Sequence, residues 1–259
     1  MFDKQKRTPP ASVFRMRSLL FFCLVLAFTK LAAEPSLTLD DIIARNTDAM
    51  GGKETIESLR SVEISLHIKD PTFEVDGIYH AARPGKMRID IMADGKRVYV
   101  ERFDGERGWQ WNGKEEKEEG AVPTAALRHG VELPGNLFGL HEMQKRGHRL
   151  ELAGRETIDG VNYHVLHVTF NDGYETSLYL DPQNWRITRR REVRALHPDV
   201  DPTPTTIETR YFDFRQVDGF WFAFASENVD LKTGKTIESA QIKEIKVNPR
   251  IDPAIFTKL

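Results

Sequence analysis

SVEISLHIK, residues 61–69, decides the fold class. Val62, Ile64, Leu66 and Ile68 alternate with Ser61, Glu63, Ser65, His67 and Lys69. Successive side chains of a strand point to opposite faces, so this segment has one apolar and one wet face, as in a half-buried antiparallel strand. Phe73–Ala81 follows as its hairpin partner. Lys86–Met92 repeats the alternation with Met87, Ile89 and Ile91. Asp94–Gly95 is a two-residue hairpin turn into Arg97–Phe103, and Asp104–Gly105 turns the chain into Gly108–Trp111. The pattern resumes after Gly147 with His148–Ala153, Val161–Phe170, Tyr174–Leu180, Ile187–Arg194, Thr205–Phe214, Trp221–Asn228 and Thr236–Val247. Turn signals such as Asp159–Gly160, Asp172–Gly173, Asp181–Pro182 and Asp218–Gly219 separate them. Many short strands with such turns predict a mainly β fold, a meander curling into all or part of a barrel. The apolar side of the last strand moves from Ile237 to Ala240 and Ile242, then to Ile245 and Val247, as a β-bulge would cause.

Two regions break the period of two. Before residue 61, Thr38 is placed to cap a helix over Leu39–Met50, with Asp40 and Asp41 in its first turn and Gly51–Gly52 at its end; a short helix over Lys53–Leu59 follows. Ala121–Met143 reads as one or two short helices broken at Pro134–Gly135.

The N-terminus reads as an export signal. Arg15 and Arg17 precede the ten apolar residues Leu19–Phe28, and small residues reach Ala33. That run is too short to span a bilayer, which takes about 20 residues. The order of charge, apolar run and small residues is that of a signal cleaved near Ala33, which predicts a periplasmic protein. Residues 1–15 are polar, and Met16 would start a signal of ordinary length. The expected organisation is thus 1–33 as signal and 34–259 as one ligand-binding domain. The single cysteine, Cys23, lies in the apolar run and follows Phe21–Phe22, so it is no lipid-attachment site. Without it, the domain can form neither a disulfide nor a thiolate metal site. Residues 1–33 contribute +5 to the net charge of −2, leaving −7 on the remainder. A mildly acidic domain is a poor partner for nucleic acid, which is bound largely through Lys and Arg.

Catalytic patterns are scarce. His141–Glu142 starts like a zinc-protease helix, but Lys145 stands where the second histidine belongs. His164 and His167 are three apart on a strand and so point to opposite faces, one wet and one packed. Glu115–Glu119 reads as a solvated acidic loop. Arg189, Arg190 and Arg191 read as a charged edge strand that resists aggregation, with Arg190 on the face opposite the other two; a rim contacting a lipid headgroup and a partner-docking patch are the functional alternatives. No cofactor and no metal are expected. Trp109 and Trp111 share a face, as do Phe220, Phe222 and Phe224. On an incompletely closed sheet, such side chains would leave a concave apolar surface in need of a cover.

AMGGKETIESLRSVEISL at 49–66 resembles the opening of the LolA/LolB-like superfamily of outer-membrane lipoprotein-sorting proteins. GRETIDGVNYHVLHVTFNDGYETSLYLDPQNWRITRRR at 154–191 resembles its two-hairpin block, and YFDFRQVDGFWFA and IKEIKVNPRIDPAIF fit the same layout. The resemblance implies an antiparallel sheet of about eleven strands, curved into an unclosed barrel with helices over its concave face. It also implies a periplasmic carrier, not an enzyme, binding the acyl chains of lipids or lipoproteins, with inner- or outer-membrane envelope proteins as further partners. The expected lining comes from Val62, Ile64, Leu66, Ile89, Ile91, Trp109, Trp111 and Phe222 of the sheet. The lid would add Leu137, Phe138, Leu140 and Met143, opening near Pro134–Gly135. Two other readings stay open: an envelope interaction module with a filled barrel, and a hydrolase using His141 or His164 with a nearby acid.

Overall fold

Thr38 caps the first helix as its sequence predicts. Its hydroxyl accepts the Asp41 N–H at 3.1 Å, and the Asp41 carboxylate accepts the Thr38 N–H at 2.9 Å. This reciprocal box satisfies two N–H groups that a helix start leaves without partners. Helix α1 (Leu39–Ala49) then runs to Gly51, where φ is +118° and a Cβ would lie 2.2 Å from the Gly219 carbonyl oxygen. Only glycine permits that approach. The Met50 carbonyl accepts the Trp221 N–H, so the end of α1 is docked on a sheet turn. A short α2 (Lys53–Ser58) follows.

The computed structural model describes residues 37–197 and 201–257. The export signal and its cleavage point near Ala33 lie outside them. The described strands are β1 (Ser61–Lys69), β2 (Glu74–Ala82), β3 (Lys86–Ala93), β4 (Lys96–Phe103), β5 (Gly108–Trp111) and β6 (Glu116–Glu118). After α3 (Ala121–Glu132) come β7 (Arg149–Ile158), β8 (Val161–Thr169), β9 (Glu175–Leu180), β10 (Ile187–His197), β11 (Asp201–Val217), β12 (Phe220–Asp230) and β13 (Lys235–Val247). They form one antiparallel sheet in the order β6-β5-β4-β3-β2-β1-β13-β12-β11-β10-β9-β8-β7, which does not close on itself.

Thirteen strands exceed the expected eleven or so, and one cause is the acidic loop. Asn112 accepts the backbone N–H groups of Lys114 and Glu115, a local turn that reverses the chain. Glu116 then pairs with the buried guanidinium of Arg102, and Glu116–Glu118 joins the sheet edge. The expected bulge is in β13: Ser65 faces Glu244 and Leu66 faces Ile242, so Lys243 is the extra residue.

The topology has one strong consequence. Each half of the sheet is a meander, and β1 pairs with β13 where the halves meet. The segment between β6 and β7 therefore joins the two outermost strands. It crosses one face of the sheet, termed here the inner face. A Cβ on Gly108 would point at Thr124 and Leu127 of α3, which marks that side. Beneath the crossing lie two apolar clusters. One contains Ile56, Val62, Ile64, Met87, Phe103, Val131, Leu137 and Phe222; the other contains Ile42, Leu140, Met143, Leu166, Val168 and Leu178.

Phe222 is 1% exposed and its ring centre lies 4.5 Å from that of Phe220. Phe222→Ala is expected to cost about 3–5 kcal/mol in urea unfolding, through lost burial and the cavity left behind. Phe212→Ala, at a residue 44% exposed, should change stability by no more than about 0.5 kcal/mol.

Candidate functional site

The crossing segment does not fill the inner face. A hollow of about 320 Å³ lies between α3 and the β1–β3 and β12–β13 strands. Ile64, Leu66, Tyr79, Met87, Ile89 and Ile242 line its floor, and Leu127 and Val131 its roof. A second hollow, of about 240 Å³, lies under residues 133–140, walled by Met50, Phe138, Leu140, Leu178, Ile187 and Phe220. The two share Gly130, Asn136, Tyr211 and Ala223. Both adjoin, at Gly130, a wide recess of about 960 Å³ whose lining includes the charged residues Glu106, Arg107, Arg128, Asp172, Glu192 and Arg194. Gly130 stands at this three-way junction, and a Cβ there would meet no atom within 4 Å. Glycine within a helix costs about 0.5–1 kcal/mol relative to alanine, so a side chain would fit here and favour the helix.

The expected lining residues divide into four groups. Ile64, Leu66 and Ile89 face the larger hollow, and Phe138 and Leu140 the smaller one. Val62, Leu137, Met143 and Phe222 are buried in the clusters beneath. Ile91 pairs with Gly77, which in turn pairs with Leu66, so it extends the same row of the inner face without touching either hollow. Trp109 and Trp111 do share a face, but it is the outer one. Trp109 pairs with Arg102, which pairs with Arg88, and both arginines bond carbonyls of the C-terminal turn, Thr257 and Ile255. The tryptophans therefore lie across the sheet from the hollows.

Arg83 ties the crossing segment to the sheet. It donates to both Glu142 oxygens at 2.6 and 3.0 Å, to the Leu59 carbonyl at 2.6 Å and to the Leu137 carbonyl at 3.0 Å. Glu142 also accepts the Gly139 N–H at 2.8 Å. Burial pushes the Glu142 carboxyl up, but Arg83 and the Gly139 N–H outweigh it and hold it below the usual range. At the other end, His129 of α3 meets Asp172 at 2.7 Å and stacks on Tyr174. The crossing is thus held on both sides of the Pro134–Gly135 break.

The arginine triplet is not on an edge, since β10 lies between β9 and β11. On the outer face Arg189 and Arg191, with Arg210, surround Glu208, whose side chain is 1% exposed. Arg190 points to the inner face, as alternation predicts, and borders both the smaller hollow and the charged recess. Sequence alone gives it no place among the lining residues. From there a row of polar groups crosses the sheet: Arg190 donates to Thr209, Thr209 to Asn228 and Asn228 to Glu238. This row bounds the apolar region on one side.

The two histidines singled out from sequence sit away from the two apolar hollows. His141 lies 3.3 Å from the Thr47 hydroxyl and 3.6 Å from Glu57. Thr47, however, already donates to the Ile43 carbonyl at 2.8 Å, and neither residue lines a hollow. His164 is buried against Trp185 beside Arg155, with no acid in contact.

The fold is LolA-like. The chain is similar to a LolA superfamily protein from Nitrosomonas europaea, with TM-score 0.54 and 15% identity over 83% of this chain and 96% of that one. A DUF1329 family protein from Desulfovibrio piger gives TM-score 0.56 at 10% identity, over 84% and 96%. A domain named for outer membrane lipoprotein sorting, from Vibrio parahaemolyticus, gives 0.54 at 12%, over 83% and 94%. No family model and no curated protein sequence matches.

The depressed carboxyl of Glu142 sets a pH dependence. A carboxylate favoured in the folded state contributes stability that is fully present above its unfolded value, about 4.3, and is lost as pH falls through the lower folded value. Glu142→Gln should flatten the acid limb of stability between neutral pH and pH 3, measured by urea unfolding. An unchanged acid limb would show that the Arg83 bridge does not clamp the segment.

Proposed function

We propose that this chain is a periplasmic carrier that shelters the hydrocarbon part of a lipid or lipoprotein between its sheet and the crossing segment. The carrying observation is the pair of apolar hollows that meet at Gly130. Together they reach the size of small-molecule sites, about 300–1,000 Å³. Each methylene buried there contributes about 0.8 kcal/mol, so affinity builds with chain length and needs no special polar group. The LolA-like fold supports this reading, and the N-terminal export signal supports the periplasm as its place. Residues 34–259 then act as one lipid-binding unit. Ile64, Leu66, Ile89, Phe138 and Leu140 contact the ligand directly. Val62, Leu137, Met143 and Phe222 support that surface from below. The unfilled space counts against a packed-barrel envelope module, and the spent Thr47 hydroxyl counts against a hydrolase.

Native mass spectrometry of the protein purified from a membrane-containing extract should show a co-purifying lipid. Gly130→Leu adds a side chain at a residue that both hollows share, where a Cβ meets no atom within 4 Å. It should fold with stability equal to or above the parent and weaken binding of the neutral dye N-phenyl-1-naphthylamine about tenfold, as loss of a few buried methylenes would. Unchanged dye binding in a folded Gly130→Leu protein would rule these hollows out as the ligand site.

A further inference from the structure

Three compartments meet at Gly130, and they are not alike. The larger hollow runs under β1–β3, between Leu127 and Val131 above and Ile64, Leu66 and Ile89 below. The smaller runs toward β9 and β10, to Leu178 and Ile187, and to the end of α1 at Met50. At about 320 and 240 Å³ the two are similar in size. The third compartment is the recess. It carries charges of both signs, among them Arg128, Asp172 and Glu192. Val122 and Val193, which also line it, are 74% and 63% exposed, so it is open to water. The compartments also touch in pairs. Leu133 and Arg190 line both the smaller hollow and the recess, and Ala126 lines both the larger hollow and the recess. At Gly130 itself the space is clear, since a Cβ would meet nothing within 4 Å.

This branching restricts what fills the space well. Each hollow holds roughly eight to ten methylenes, counting about 30 Å³ apiece, the room of one water molecule. A single chain of that length entering at the junction occupies one arm and gains no apolar contact from the other. A third chain would have to lie in the recess, among charges and water, where little apolar area leaves solvent. Two tails and one head, joined at one branch point, match two apolar arms and one wet arm joined at one residue.

Resting on the carrier reading above, we propose that the ligand is a two-tailed lipid, a diacylglyceryl compound. One acyl chain lies in each hollow, the glycerol sits at Gly130 and the head group lies in the recess. The fork in the cavity thus sets the number of tails, and the depth of each arm sets how much of a tail is buried.

Native mass spectrometry, with calorimetric titration in solution, counts the ligands that the folded protein binds. The probes are didecanoylphosphatidylcholine and 1-decanoyl-lysophosphatidylcholine, each below the concentration at which it aggregates. One copy of the two-tailed probe should bind, and two of the one-tailed probe, since the recess of about 960 Å³ has room for two heads. The two-tailed probe should bind at least about a hundredfold more tightly, because one event buries a second chain of methylenes. Ala240 pairs with Ile68, on the same inner-face row as Leu66, and lines the larger hollow but not the smaller. Ala240→Trp should lower the one-tailed count from two to one and remove most of the two-tailed advantage. Urea unfolding checks that this variant folds; if it does not, the counts for the parent decide alone. A peptide whose N-terminal cysteine carries a didecanoylglyceryl group separates a lipoprotein source from a membrane phospholipid. Binding of either two-tailed compound supports the proposal, and binding of neither overturns it. A third decanoyl chain on the peptide's amine should gain less than about tenfold. One bound copy of the one-tailed probe, equal affinity for one and two tails, or a further hundredfold gain from the third would overturn the proposal and leave the carrier reading intact. Failure of every one of these compounds and of N-phenyl-1-naphthylamine to bind would overturn both.

Discussion

The pairing of β1 with β13 shapes everything else in this molecule. Because the first and last strands meet inside the sheet, its two free edges belong to strands in the middle of the chain. Any connection between those edges has to travel across a face. The cover over the inner face is thus a necessary part of the chain's path. It reaches its place with segments of α3, two short 3-10 turns and loop, which cannot match the shape of a curved sheet everywhere. The hollows lie where that match fails.

Much of this path is legible in sequence. Period-two alternation marks the strands, and Asp-Gly turns mark five of the eleven described hairpins. Thr38 with Asp41 marks the start of α1. The face assignments are less legible. An i, i+2 spacing puts Trp109 and Trp111 together, but says nothing of which side they take. That side is decided by Arg88 and Arg102, whose guanidinium groups are held by carbonyls more than 150 residues away in sequence. The arginine triplet was misread for a different reason. The Asp181–Pro182 turn gives this strand one neighbour; that Thr205–Phe214 pairs along its other side is seen only in the strand order of the sheet. Its charges are not a device against aggregation: those on the outer face are the counter-ions of the buried Glu208. Nor could alternation show that Arg190 would meet Glu192, Tyr174 and Tyr211 beside an empty space, since that depends on how far the crossing segment reaches.

The two faces of the sheet follow different physics. Near Glu208 on the outer face, buried charges are paired, so removing one partner leaves the other stranded. Around Ile64, Leu66 and Ile89 there is little polar to satisfy, and contact area alone sets the energy. Arg190 stands where these regimes meet, bordering both the smaller hollow and the charged recess.

Helix α3 has few means of standing alone. Gly120 offers no side chain to cap it, its first turn carries no acid, and Gly130 loosens its last turns. Twelve residues of such composition are marginal as a helix in water. Its order is borrowed from Leu127 and Val131 on the sheet and from the His129 contact with Asp172. Any molecule that packs beneath it lends further order, and by linkage α3 and its guest strengthen each other. Amide hydrogen exchange along α3 therefore serves as a built-in gauge of occupancy: fast when the space below is vacant, slow when it is filled.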